Sequence, residues 1–197
     1  MEERKATVVR KTGETDITIS INLDGSGKAN IDTGIGFFDH MLNSFARHGF
    51  FDLDVKVKGD LYVDSHHTIE DTGIVLGKAI KEALKDKKGI CRYASFIMPM
   101  DESLVLSAVD LSGRPYLVYN LELTTPKVGE FETEMVKEFF YAVSYAAEMN
   151  LHLKQLDGSN NHHIIEAAFK AFANALSKAV SEDPRSKGEI LSTKGSL

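Results

Sequence analysis

The chain has 197 residues, 43% of them hydrophobic and 26% charged, with a formal net charge of −6 and a single cysteine. That length suits one large domain or two small ones with an ample core, and the acidic balance excludes binding to nucleic-acid backbones, which needs a basic surface. Cys91 alone permits neither an intrachain disulfide nor a thiolate metal cluster, and no charged-then-apolar leader or apolar run of about 18 residues occurs, so the expectation is a soluble, cytoplasmic protein with no membrane span.

Residues 6–11 and 16–21 alternate in the manner of strands, with Glu14 between them as a surface carboxylate. Asp24-Gly25-Ser26-Gly27 is turn chemistry and predicts a hairpin into the next polar strand. A helix is expected from Gly34 to about residue 47, with Phe37, Met41, Leu42 and Phe45 facing a core and His40 beside that face. Residues 53–58 form a period-two strand closed by Gly59-Asp60. A helix then runs to about residue 84, burying Ile69, Gly73, Leu76, Ile80 and Leu84.

That helix opens on His66-His67-Thr68-Ile69-Glu70, which returns 96 positions later as His162-His163-Ile164-Ile165-Glu166. The apolar stripe returns with it as Ile165, Phe169, Phe172, Leu176 and Val180, so the chain is duplicated. Phe37-Phe38, its helix and the strand at 53–58 are likewise matched by Phe139-Phe140, a helix through Ala147 and a strand at 150–156. Between the halves, residues 93–98, 104–109 and 115–123 read as three strands. The fold expected is α+β, an internally duplicated half-domain, each half an antiparallel sheet with helices packed on one face. The first repeat spans 1–90 and the second 91–197, forming one compact unit. The polar tail, 181–197, reads as loop and disorder.

On a helix, His66 and Glu70 share a face, whereas His67 is turned away by about 100°. Each word therefore supplies one chelating His/Glu pair and one histidine offered elsewhere. Imidazole and carboxylate without thiolate suit Mn²⁺, Fe²⁺, Ni²⁺ or Zn²⁺, and carboxylate-containing octahedral sites lean to Mn²⁺. Neither word completes an octahedral centre, so His40, Glu138 and His152 are candidates for the remaining donors. Arg92, Arg114, Lys170 and Lys194 make a phosphate clamp if the fold gathers them.

Phe38-Asp39-His40-Met41-Leu42, Asp64 through Asp71, Gly113-Arg114-Pro115, Asn161 through Ala167 with Phe169-Lys170-Ala171, and the closing Ser192-Thr193-Lys194-Gly195 resemble imidazoleglycerol-phosphate dehydratase across nearly the whole chain. The resemblance implies a hydro-lyase of L-histidine biosynthesis that converts imidazole glycerol phosphate to imidazole acetol phosphate, through a metal-bound imidazolate and a diazafulvene-like intermediate. It implies a fold like the second domain of ribosomal protein S5, two Mn²⁺ per active site, and an octahedral 24-mer with sites at subunit interfaces. Carried over by motif, His40, His66, His67, Glu70, His162, His163 and Glu166 are metal ligands. Many relatives have a histidine before the paired phenylalanines; Glu138 stands there in this chain as an oxygen donor, and His152, matching another recurrent histidine, is the alternative. Glu14, Arg92, Arg114, Lys170, Ser192 and Lys194 fall at substrate-contacting positions, the arginines and lysines on the phosphate. Glu14 is the expected proton shuttle, with the metal-bound groups, Glu70 and Glu166 among them, assisting. A ferritin-like storage shell would need no basic clamp, and a binuclear phosphoester hydrolase would lean on bridging aspartates that these words lack.

Overall fold

In the computed structural model, which describes residues 3–197, the chain runs through two copies of one strand-and-helix order. The first is β1 (Lys5–Lys11), β2 (Thr15–Asn22), β3 (Ala29–Asp32), α1 (Gly36–Gly49), β4 (Asp52–Gly59) and α2 (His66–Leu84). The second is β5 (Tyr93–Met100), β6 (Ser103–Asp110), β7 (Tyr116–Asn120), α3 (Met135–Ala146), β10 (Asn150–Asp157) and α4 (Asn161–Val180). A small hairpin of β8 (Lys127–Val128) and β9 (Phe131–Glu132) precedes α3.

The sheets have matching orders, β1-β2-β4-β3 and β5-β6-β10-β7. Each is antiparallel except at one edge, where β3 runs parallel to β4 and β7 parallel to β10. This corrects the hairpin expected after Asp24. β2 pairs with β1 on one side and β4 on the other, leaving no edge for β3. The turn serves a different partner: Asp52 accepts backbone N–H bonds from Ser26 (2.8 Å) and Lys28 (3.0 Å), and Leu53 N–H donates to the Lys28 carbonyl at 2.8 Å. β2 buries Ile17, Ile19 and Ile21 completely or nearly so, and a strand with that apolar face belongs inside the sheet, whereas β3 has no buried residue.

The inner faces, Leu53, Val55 and Val57 on β4 and Leu151 and Leu153 on β10 among them, pack beneath the helices. The helices also pack across the repeat, α2 on α3 and α1 on α4. Phe45 stacks on Phe172 with centroids 5.4 Å apart, and Phe139 on Phe169 at 5.1 Å, so one aromatic seam joins both halves. The α2–α3 crossing is set by Gly73 and Gly77: a Cβ on Gly77 would lie 2.6 Å from the Val143 carbonyl oxygen, and one on Gly73 2.8 Å from that of Phe139. α3 starts four residues before the paired phenylalanines, which puts Glu138 in its first turn.

The tail is ordered against the body rather than free. Gly89 N–H donates to the Glu189 carbonyl at 3.0 Å, Asp183 N–H to that of Gly89 at 2.8 Å, and Arg92 Nη1 to that of Leu191 at 2.6 Å. Low hydrophobicity signalled disorder, but the Gly89 backbone and the Arg92 guanidinium of the body supply partners for the tail's backbone.

Candidate functional site

Both histidine words sit at helix starts, where orphan N–H groups need acceptors. At α4, the Asn160 side chain accepts from the N–H groups of His162 and His163. At α2, Asp64 Oδ1 accepts from His66 N–H at 2.8 Å, while Ser65 donates its hydroxyl to Glu132. Helical spacing then does what the sequence predicts. His66 Nε2 lies 3.4 Å from Glu70 Oε2, and His162 Nε2 3.2 Å from Glu166 Oε2.

The two pairs differ in what joins them. Helix α1 crosses α4 so that His40 Nε2 stands 3.6 Å from Glu166 Oε2. His40, His162 and Glu166 thus place one donor atom each within 4.8 Å of one another, a nitrogen–nitrogen–oxygen set suited to a divalent ion. Glu166 is nearly buried, and burial alone would raise its pKa. The hydrogen bond and charge of Lys170, 2.6 Å from Oε1, together with His40 and His162, outweigh that and hold the carboxyl below its usual range. Lys170 therefore fixes one oxygen and leaves the other facing the histidines. Glu138, in the first turn of α3, is half-buried and joins neither pair. His152 lies on the exposed face of its sheet between Ala108 and Val118, opposite the face that α3 and α4 cover.

The second histidine of each word turns away from its own pair, as the helical rotation predicts, and meets carboxylates. His67 Nδ1 lies 3.0 Å from Asp60 Oδ2, and its Nε2 3.8 Å from Glu14 Oε1. His163 Nδ1 lies 2.7 Å from Glu102 Oε2, and its Nε2 3.6 Å from Asp101 Oδ2. Hydrogen bonds to Asp60 and Glu102 respectively raise both imidazole pKa values. The same bond, seconded by the Asn160 N–H, holds the Glu102 carboxyl far below its ordinary range. Glu14 reaches His67 because the β1–β2 turn is tied to α2, where Thr15 donates its hydroxyl to Asp71 at 2.5 Å. Asp60, Asp101 and Glu102 escaped the sequence reading. For Asp101 and Glu102 the one signal is position, since they occupy the β5–β6 turn that matches the β1–β2 turn of Glu14.

The basic residues are gathered in part. Arg92, Arg114, Ser192 and Lys194 line an open cavity of about 550 Å³, one wall of which is the tail. Arg92 is held there by Asp110, with Nε 2.8 Å from Oδ1. Lys170 is elsewhere, paired with Glu166.

A family model described as imidazoleglycerol-phosphate dehydratase matches residues 33–176. The protein of that name from Lachnoclostridium phytofermentans is 68% identical over 194 residues, 98% of each chain, and that from Acetivibrio thermocellus is 65% identical over 195 residues, 99% of this chain and 100% of the relative. The crystal structure of imidazoleglycerol-phosphate dehydratase from Staphylococcus aureus superposes with a TM-score of 0.83 at 42% identity, covering 91% of this chain and 99% of that one.

Proposed function

This chain belongs to the imidazoleglycerol-phosphate dehydratase family, a hydro-lyase of histidine biosynthesis, and on that premise we propose that it dehydrates imidazole glycerol phosphate to imidazole acetol phosphate at two manganese centres built on its duplicated words. The observation that carries the centres is the meeting of His40, His162 and Glu166 from two helices within 4.8 Å, repeated in part by His66 and Glu70. These donors fit Mn²⁺: imidazole nitrogens with carboxylate oxygen, and no thiolate.

When bound, the metal supplies Lewis acidity to the imidazole of the substrate. The residues of the chain do the rest. Arg92, Arg114 and Lys194, with the Ser192 hydroxyl, hold the phosphate, and Lys170 keeps Glu166 ionised and oriented. Glu14, from its turn beside His67, would take the proton given up by the ring nitrogen and pass it to the adjacent hydroxyl, which leaves as water. It would then take the proton of the neighbouring carbon while the ring nitrogen regains one, leaving an enol that becomes the ketone. Glu70 and Glu166 act as ligands that assist this transfer.

Assembly follows from the ligand count. His66 and Glu70 keep 47% and 40% of their side-chain surface exposed, and the Nε2 atoms of His67 and His163 face away from the pairs beside them. These donors are complete only when a second copy supplies the remainder, which supports interface sites in an octahedral 24-mer. Glu138 or His152 then completes the set. No helix among the described residues is long and apolar enough to cross a membrane, and we place the enzyme in the cytoplasm, where its pathway runs.

The test is turnover of imidazole glycerol phosphate by chelator-stripped protein before and after Mn²⁺ is restored. Mn²⁺-dependent ketone formation is expected, and no product with both metals bound would overturn the reading. Glu14→Gln should lower turnover at least about 100-fold with manganese content unchanged, the scale of a lost general base.

A further inference from the structure

A neutral imidazole carries one N–H, so a histidine can ligate through Nε2 only when its proton sits on Nδ1. We propose that Glu102 is the positioning residue that fixes this tautomer in His163, an inference resting on the assignment of His163 as a metal ligand.

The geometry of Glu102 allows one arrangement. Its Oε1 accepts three hydrogen bonds: from Asn160 N–H at 2.8 Å, Ser159 N–H at 3.2 Å and the Ser103 hydroxyl at 3.0 Å. Its Oε2 is left for His163 Nδ1 at 2.7 Å. An ionised carboxylate only accepts, so the neutral ring must donate from Nδ1 and keep its lone pair on Nε2, which faces the exposed Asp101 carboxylate at 3.6 Å. The same carboxylate ties the β5–β6 turn to the start of α4, so the turn and the helix together hold the ring plane. Carboxylates behind metal-bound histidines commonly act in this way.

Asp60 is the counterpart behind His67, and it differs in one respect. Both of its oxygens face His67 Nδ1, at 3.0 and 3.2 Å, with no other donor holding either of them among the described residues. The two sites therefore respond differently to the same loss of charge. In Glu102→Gln, the carbonyl must stay on the two backbone N–H groups, because a flipped amide would set its NH₂ against them. The amide nitrogen then faces Nδ1 and donates to it, forcing the ring proton onto Nε2. In Asp60→Asn, the amide is free to turn its oxygen to Nδ1 and keep the tautomer.

The experiment is Mn²⁺ titration of metal-stripped protein followed by electron paramagnetic resonance, which needs no turnover. Glu102→Gln should bind its weakened manganese about 10- to 100-fold less tightly than wild type, as for other supports of this kind. Asp60→Asn should stay close to wild type. In a His163→Ala background Glu102→Gln should add no further loss, since it acts through the ring. Equal affinity in Glu102→Gln and wild type overturns the proposal, as do equal losses in the two amide variants, which would make charge the cause. Additive losses with His163→Ala overturn it in favour of a general role in folding. Failure of wild type itself to bind Mn²⁺ overturns instead the ligand assignment on which the proposal rests.

Discussion

The two words are spelled almost alike and sit on equivalent helices, yet they are finished differently. At the second, α1 brings His40 beside His162 and Glu166, and Lys170 clamps the carboxylate at 2.6 Å. At the first, the place matching Lys170 is Ile74, and the helix crossing α2 is α3, where the place matching His40 is Ala142. A Cβ on Gly73 would lie 2.8 Å from the Ala142 methyl, so this crossing is used for close packing. One repeated fold thus gathers three donor side chains at one helix crossing and uses the other for close packing. The first word is left exposed, with His66 at 47% and Glu70 at 40% of their side-chain surface.

The sharpest way to break this contrast is His40→Ala, which should remove the third in-chain donor and take manganese from two per chain toward one. Metal analysis still finding two would mean that the cluster is incidental. Next is Lys170→Ile, which makes the second word resemble the first. It leaves the nearly buried Glu166 charge without its partner and should cost the metal-free protein about 3 kcal/mol. Urea unfolding should show Mn²⁺ offsetting much of that loss, and an unchanged midpoint would deny the clamp. At the packing crossing, Gly77→Val meets backbone atoms that cannot yield, the Val143 oxygen among them, and should destabilise by about 2 kcal/mol. Its effect should be the same with and without Mn²⁺, and a metal-dependent loss would blur the division between the two crossings.

The smallest effect is that of pH on the metal-free protein, and here the words should behave alike. Asp60 and Glu102 raise the pKa values of His67 and His163 above their ordinary value of 6.5. A group whose folded pKa is raised gives stability that is fully present below its unfolded value and lost as pH rises through the folded one. Urea midpoints of chelated protein should therefore fall as pH rises above 6.5, and a midpoint that climbs there would contradict both contacts. Asp60→Asn and Glu102→Gln should each remove part of the slope.

Much of this was legible along the chain because its signals are local. Period-two runs gave the strands, Ile69 through Leu84 and Ile165 through Val180 gave the helix stripes, and the repeat of His-His-x-Ile-Glu gave the chelating pairs. The helical turn also fixed which histidine of each word looks away. Sequence misled where a segment could choose between partners. The Asp24–Gly27 turn has hairpin chemistry, but the buried isoleucines of β2 claim both of its edges, and Asp52 captures the turn instead. The tail has the composition of disorder, yet Gly89 and Arg92 bind its backbone.

By itself the sequence determined the duplication, the helices that carry the words and the types of donor they present. Those follow from periodicity and side-chain chemistry, which need no neighbour in space. Only the tertiary structure decided that His40 stands beside the second word and not the first, that Lys170 pairs with Glu166, and that Glu102 and Asp60 stand behind the outward histidines. Each of these depends on which helix or turn crosses which, and such crossings are set by packing between residues far apart in the chain.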